Sequence, residues 1–151
     1  MTLTMGQPFS HPLRVRYAEC DRQEVVFNAH YLTYFDVAMT ELWRAAFGGY
    51  QAMMDRGYDM VVAEANIRFL RSAKFDDELA LEVAVTKLGD SSIVTRHRIL
   101  REDELLIEGM MRHVLVDIAT LRKATFPDWA RSALAPWVLD GDAWRSAGTH
   151  N

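Results

Sequence analysis

Three consecutive predicted strands constrain the fold of this chain more than any other feature. Residues 78–88 alternate Leu or Val with Ala, Glu or Thr, a period of two that is typical of a strand with one buried face. Residues 92–101 alternate in the same way, and residues 105–118 form a third, longer strand. Only residues 89–91, with the turn Gly89-Asp90, and residues 102–104 separate them. Strands joined by such tight turns form an antiparallel meander.

One long helical segment precedes the meander. Leu32, Phe35, Met39 and Leu42 follow one another at spacings of three and four residues, which places them on one face of a helix that begins near residue 30. Gly48 and the glycine after it end this helix. Tyrosine and alanine residues widen the apolar face, so we expect a concave surface such as a sheet to surround it.

Two further strands and two short helices complete the prediction. Residues 11–19 and 60–72 are the strands, and residues 51–56 and 128–134 are the helices. The fold class is therefore α+β, with a five-stranded antiparallel sheet wrapped around one long central helix. Such a sheet has free edges and a bare outer face, which a second copy usually buries. We expect a homodimer or a homotetramer.

The composition fits one globular domain. Half of the 151 residues are apolar and 25% are charged, which is enough for a packed core without a metal or a disulfide. We expect this domain at residues 11–138, between a flexible N-terminal tail at 1–10 and a frayed C-terminal tail at 139–151. The 17 basic and 21 acidic side chains give a net charge of -4, which disfavours general binding to nucleic acid phosphates.

Other features bear on location and on metal binding. Cys20 is the only cysteine, which excludes an internal disulfide and fits a reducing, cytoplasmic setting. No apolar run approaches the roughly 20 residues that a membrane helix needs, and residues 1–12 lack the features of a signal peptide. The histidines show no metal-site spacing, and we expect His97 and His113 to be ordinary half-buried strand residues. We predict no metal and no cofactor.

The segment that could carry chemistry is residues 17–31. Asp21 precedes Asn28 by seven positions, and Asn28 lies near the start of the long helix. A helix N-terminus presents unpaired N–H groups that can stabilise an oxyanion, and a nearby carboxylate can act as a general base or as a nucleophile. The spacing alone, however, favours a simpler interpretation, in which the aspartate only caps a helix or forms a turn.

The same segment resembles the 4-hydroxybenzoyl-CoA thioesterase family of hot-dog-fold proteins, which includes the YbgC-like acyl-CoA thioesterases. The motif is carried by Glu-Cys-Asp at 19–21, Val-Val-Phe at 25–27 and Asn-Ala-His-Tyr at 28–31. Weaker matches follow at 68–77 and 92–97, so that the resemblance spans roughly residues 12 to 135. It implies a helix wrapped by a five-stranded sheet, paired edge to edge in a dimer.

The resemblance also implies roles for individual residues. Asp21 carries over as the catalytic carboxylate, either a general base or a nucleophile, and Asn28 as the residue whose backbone N–H polarises the thioester carbonyl. Many YbgC-like members have histidine at the position of Asn28 and asparagine at that of His30, so this chain shows an apparent exchange. The loop after Asp21 is also bulkier and more charged than the family's usual glycines.

Further residues are candidates for substrate contacts. The predicted acyl-pocket residues are Phe27, His30, Tyr31 and Tyr34, with Glu64 and Asn66 reaching in from a partner subunit. Core packing is the alternative for the aromatic residues. Candidates for the CoA phosphates are Arg71, Lys74, Arg122 and Lys123, for which solvated surface is the alternative.

The leading hypothesis is therefore an acyl-CoA thioesterase that hydrolyses a small or medium acyl-CoA to the free acid and CoA. A second hypothesis is a hot-dog module that binds acyl-CoA without catalysis, which the exchange at Asn28 and His30 favours. A third is hydrolysis of a thioester on an acyl-carrier protein, which would need a basic docking patch for its acidic partner.

Overall fold

The computed structural model describes residues 6–147 of the chain. Five strands and four helices form its framework, together with 3-10 turns at Tyr17–Glu19 and Ala135–Trp137. The strands are β1 (Phe9–Arg14), β2 (Tyr58–Phe69), β3 (Glu78–Leu88), β4 (Ser92–Arg101) and β5 (Glu104–Asp117). The helices are α1 (Ala29–Phe47), α2 (Tyr50–Asp55), α3 (Asp128–Leu134) and α4 (Gly141–Ala147).

All five strands belong to one antiparallel sheet with the order β1-β3-β4-β5-β2. The meander β3-β4-β5 is confirmed, and its turns lie where the sequence places them. β1 pairs with β3 at one edge, and β2 pairs with β5 at the other. The predicted α+β class is thereby confirmed, and β2 has one neighbouring strand among the described residues.

The helix α1 lies against the concave face of this sheet. Its inward residues are almost fully buried, from Tyr31 and Phe35 in the first turns to Leu42 and Trp43 near the end. They pack against sheet residues such as Leu81 in a single apolar cluster. At the end of the helix, Gly48 has φ +84° and its N–H donates to the carbonyl of Arg44, as in a left-handed C-cap.

The predicted strand at 11–19 is wrong in its second half. β1 ends at Arg14, and the chain then enters the turn Tyr17–Glu19. The reason is the side chain of Glu19, which accepts hydrogen bonds from the backbone N–H and the Nε–H of Arg16, both at 2.8 Å. This capping contact bends the chain although the alternation of side chains continues through it.

The prediction of a frayed C-terminal tail is wrong for residues 141–147, which form α4. Trp144 is buried against Ala84 of β3 and Leu139. The Arg98 guanidinium lies 3.6 Å from the centroid of the Trp144 ring and donates to its carbonyl at 2.6 Å. At the other end, β1 begins at Phe9, within the predicted tail. Residues 1–5 and 148–151 of the two predicted tails lie outside the described residues.

Candidate active site

A cavity of about 390 Å³ opens beside the start of α1. It brings together the two residues to which the sequence assigns the chemistry, Asp21 and Asn28, with the aromatic ring of Tyr31. The far wall comes from the end of β2 and the segment that follows it. The lining residues are Asp21, Val25, Val26, Asn28, Tyr31, Phe69, Leu70, Arg71 and Ser72.

A tight turn presents the carboxylate of Asp21. Oδ1 accepts the N–H of Gln23 at 2.8 Å, and the backbone N–H of Asp21 donates to the carbonyl of Val25 at 2.9 Å. The N–H of Glu24 donates to the carbonyl of Asp21, and Glu24 has φ +64°. The turn holds the aspartate while its side chain remains exposed to solvent.

Asn28 precedes the first residue of α1 and already has helical dihedral angles, with φ -51° and ψ -35°. Its backbone N–H has no acceptor among residues 6–147. Two nearby amides are occupied, because Phe27 donates to the carbonyl of Glu19 and His30 donates to that of Phe27. The positive end of the helix therefore presents a free donor at the cavity.

A buried carboxylate fixes this segment from behind. Glu19 is 7% exposed, and its Oε1 accepts the hydroxyl of Tyr34 at 2.9 Å in addition to the bonds from Arg16. Burial raises the pKa of Glu19, but the hydrogen bonds from Arg16 and then Tyr34 outweigh it and hold this pKa below its usual value. Burial and the bond to Glu19 raise the pKa of Tyr34. Glu19 therefore remains ionised. Its hydrogen bond with Tyr34 attaches the turn that precedes Asp21 to α1.

Tyr31 attaches the opposite wall of the cavity, at Ala73, to α1. Its hydroxyl oxygen accepts the N–H of Ala73 at 2.9 Å, while the carbonyl of Ala73 accepts the N–H of Val26 at 2.9 Å. Burial raises the pKa of Tyr31, so this phenol remains neutral. Burial, followed by the charges of Glu19 and Asp21, also raises the pKa of Cys20, which agrees with its interpretation as a packed thiol.

The remaining aromatic candidates lie outside the cavity lining. Tyr34 is in the core, where 1% of it is exposed, as the core-packing interpretation predicts. Phe27 is half-exposed, and its ring is in edge contact with that of His30, with centroids 6.3 Å apart. Of the four acyl-pocket candidates from the first half of the chain, only Tyr31 lines the cavity.

The other candidates are distributed over the sheet. Glu64 and Asn66 lie on the outer side of β2, where Glu64 is 3.4 Å from Arg112. Arg71 lines the cavity and forms an ion pair with Glu104 at 3.3 Å. Lys74, also exposed, pairs with Val25 by backbone contact only.

Arg122 and Lys123 adjoin Asp117 and Val116, at the Tyr58 end of β2. The cavity is at the Phe69 end, and eleven steps of about 3.3 Å make this separation roughly 35 Å. Within one chain, these two residues and the cavity therefore lie at opposite ends of the sheet.

Sequence reasoning did not assign the structural roles of Glu19 and Ser72. Glu19 belongs to the quoted Glu-Cys-Asp motif, so the motif was a signal, but its burial by Tyr34 depends on a contact 15 positions away. Ser72 reaches the cavity only through the path of the segment after β2, for which the sequence holds no local signal.

A comparison with protein families matches this chain to the family described as the thioesterase superfamily, over residues 23–108. That match covers more than half of the chain. The chain belongs to the thioesterase superfamily.

Individual members of the superfamily match over most of their length. The acyl-CoA thioesterase YbgC of Haemophilus influenzae is 29% identical over 126 residues, which are 83% of this chain and 93% of that protein. The acyl-CoA thioester hydrolase YbgC of Escherichia coli is 30% identical over 120 residues, 79% of this chain and 90% of that protein.

Solved structures give the same fold. A hypothetical protein of Thermus thermophilus superposes with a TM-score of 0.78 at 29% identity, over 85% of this chain and 98% of that one. The 1,4-dihydroxy-2-naphthoyl-CoA thioesterase of Synechocystis superposes with a TM-score of 0.77 at 20% identity, over 84% and 95%. The sheet wrapped around α1 is therefore the hot-dog fold of this superfamily.

Proposed function

We propose that the cavity beside α1 is the active site of an acyl-CoA thioesterase in which Asp21 and the N–H of Asn28 act on the thioester. The enzyme hydrolyses an acyl-CoA to the free acid and CoA, the activity that the named YbgC relatives carry. One observation carries the site: Asp21, with its exposed carboxylate, and Asn28, whose N–H has no acceptor among residues 6–147, line the same cavity.

The general-base route uses both groups directly. Asp21 takes a proton from a water molecule as the water oxygen attacks the thioester carbonyl carbon, and the developing oxyanion accepts the N–H of Asn28. When the tetrahedral intermediate collapses, the C–S bond breaks, and the leaving CoA thiolate takes up the proton that Asp21 had accepted from water. The products are the acid and CoA, with Asp21 returned to its starting state.

The same geometry supports a nucleophilic route. Here a carboxylate oxygen of Asp21 attacks the thioester, CoA leaves, and water hydrolyses the resulting mixed anhydride. A single turnover in ¹⁸O-labelled water tests for this anhydride. Label in Asp21 indicates the anhydride, hydrolysed at its aspartyl carbon. Label found only in the product acid excludes that course and leaves the general-base route or hydrolysis of the anhydride at its acyl carbon, which trapping of the anhydride by hydroxylamine distinguishes.

The edge strand β2 supports a homo-oligomer. It has twelve residues and two half-exposed valines, Val61 and Val62, and within residues 6–147 it has one neighbouring strand. A long, apolar, unpaired edge is a template for another strand. We infer that two copies pair antiparallel along β2, which places the Tyr58 end of one chain beside the Phe69 end of the other.

This pairing gives the two distant basic residues a role. Because Arg122 and Lys123 adjoin the Tyr58 end of β2, those of the partner subunit would lie near the cavity. They would then join Arg71, which already lines it, in binding the CoA phosphates. Glu64 and Asn66, on the same strand, remain candidates for contacts across this interface.

The test of the proposed function is thiol release from a panel of short, long and aromatic acyl-CoAs, in parallel with the same acyl groups on an acyl-carrier protein. Turnover of CoA esters supports the proposal. Turnover of carrier thioesters alone would replace CoA by the carrier as the substrate. Saturable binding of acyl-CoA without release of thiol would identify a binding module instead.

A further inference from the structure

Arg101, the last residue of β4, lies outside the cavity lining and links two parts of the chain. Its Nε and Nη2 donate to Oε1 of Glu104 at 3.2 and 2.5 Å. Its Nη1 donates to Oδ2 of Asp77 at 2.7 Å and to the carbonyl of Ser72 at 3.3 Å. The guanidinium therefore joins the β4–β5 hairpin to residues 70–77, which connect β2 with β3.

Residues 70–77, which we call the wall segment, form the side of the cavity that faces α1. Leu70, Arg71 and Ser72 line it directly. The next residue, Ala73, donates to the hydroxyl of Tyr31 and accepts from the N–H of Val26. A displacement of the wall segment is thus transmitted to α1 and to the chain two residues before Asn28.

The wall segment is also attached to the loop that carries Asp21. Lys74 pairs with Val25, and the N–H of Phe75 donates to the carbonyl of Glu24 at 3.2 Å. Oδ2 of Asp77, the atom that Arg101 contacts, also accepts the N–H of Lys74 at 2.8 Å. Oδ2 of Asp77 therefore accepts one hydrogen bond within the wall segment and one from Arg101, and so connects the two.

We propose that Arg101 is a positioning residue for thioester hydrolysis: it holds the wall segment so that Asp21 and the N–H of Asn28 face the same substrate carbonyl. It is not among the residues that line the cavity, and it acts through the segment that it holds. The planar guanidinium fork serves three acceptors at once, whereas a lysine ammonium offers a point charge without this geometry. The inference rests on the proposed function, because it assigns a role within that reaction.

The test compares Arg101→Gln and Arg101→Lys with the control Arg44→Gln. Arg44 also makes an ion pair, to Glu41 at 3.2 Å, but it is exposed near the end of α1, whereas the cavity lies beside the start of that helix. We expect Arg101→Gln to lower kcat by roughly 10- to 100-fold with a smaller change in KM, since small misplacements of catalytic groups cost that much. The kcat of Arg101→Lys should lie between those of Arg101→Gln and the unmodified enzyme, and Arg44→Gln should stay within about twofold of the unmodified enzyme.

Amide hydrogen exchange supplies a readout independent of activity. In Arg101→Gln, the amides of Ala73 and Val26 should exchange faster, while those of the β3–β4 ladder stay protected. If Arg101→Gln fails to fold, Arg101→Lys, which retains the charge beside Asp77, carries the comparison.

Two results would overturn the inference. One is a kcat for Arg101→Gln equal to that of Arg44→Gln. The other is a loss of kcat without faster exchange at Ala73 and Val26, because Arg101 would then act by another route. If the unmodified chain hydrolyses no acyl-CoA, the proposed function fails, whereas the exchange pattern still decides whether Arg101 holds the wall segment.

Discussion

Replacing Tyr34 by phenylalanine tests the buried contact that supports the Asp21 segment. The substitution removes one hydroxyl, which donates to the ionised carboxylate of Glu19 at 2.9 Å, and both partners are more than nine-tenths buried. Hydrogen bonds to charged groups contribute about 1.5–3 kcal/mol to stability. We therefore expect the free energy of unfolding at pH 7 to fall by about that amount, equivalent to a decrease in Tm of roughly 3–12 °C for a chain of this size.

The loss should also depend on pH. The folded pKa of Glu19 lies below its usual value, so its contribution to stability is present above the unfolded pKa and is lost as pH falls through the folded one. Because Tyr34 helps to lower that pKa, the difference between Tyr34→Phe and the unmodified protein should shrink as pH falls below about 4. Urea titrations at matched protomer concentration, at pH 7 and at successively lower pH, measure this difference.

Tyr17→Phe is the matched control, because this tyrosine is 75% exposed and its hydroxyl should be worth less than about 0.5 kcal/mol. Equal losses in the two variants, or a loss in Tyr34→Phe that is constant with pH, would refute the assignment of Glu19 as a buried, ionised anchor.

Two further predictions concern the sheet. Burial, and then the nearby His113, lowers the pKa of His97 to about 3, so the contribution of neutral His97 to stability is full above pH 6.5 and is lost as pH falls towards 3. His97→Gln should therefore reduce the slope of the unfolding free energy against pH, between pH 6 and 5, by up to about 1.4 kcal/mol per pH unit. An unchanged slope in urea titrations would contradict this. Val62→Glu places a charge on the exposed edge of β2 and should convert the proposed homo-oligomer to monomers in sedimentation experiments, whereas a persisting oligomer would exclude the β2 edge as the interface.

The sequence predictions are accurate where neighbouring residues determine the structure, and they fail where contacts with other parts of the chain determine it. The bounds of β3 agree with the alternating pattern because its first half buries one face and leaves the side chains of the other partly exposed. The bounds of β4 agree as well, although most of its residues are buried on both faces. The predicted first strand extends beyond the end of β1 because the Arg16–Glu19 contact turns the chain without interrupting the alternation. The helix α4 was missed because Trp144 is held by Arg98, 46 residues away.

The same distinction applies to the candidate site, of which one part could be predicted from the sequence and the other could not. The pairing of Asp21 with Asn28 could be predicted because both lie in one short segment whose resemblance to a family was recognisable. The wall segment could not, because its position depends on contacts of Arg101, Tyr31 and Val26 from three other parts of the chain. A family resemblance supplies the proposed reacting groups, whereas the structure is needed to show what holds them.

Thiol release by Asp21→Asn tests the central claim most directly. The amide keeps the size of the side chain and can still accept the N–H of Gln23, but it can neither take a proton from water nor attack as a carboxylate. Asp55→Asn is the control, since Asp55 is an exposed residue of α2 that contacts Gln51. We predict a loss of kcat/KM of at least about 100-fold in Asp21→Asn, with unchanged folding and oligomer size, and normal turnover in Asp55→Asn. Turnover of acyl-CoA by Asp21→Asn at the level of the control would contradict the assignment of Asp21 as the reacting carboxylate.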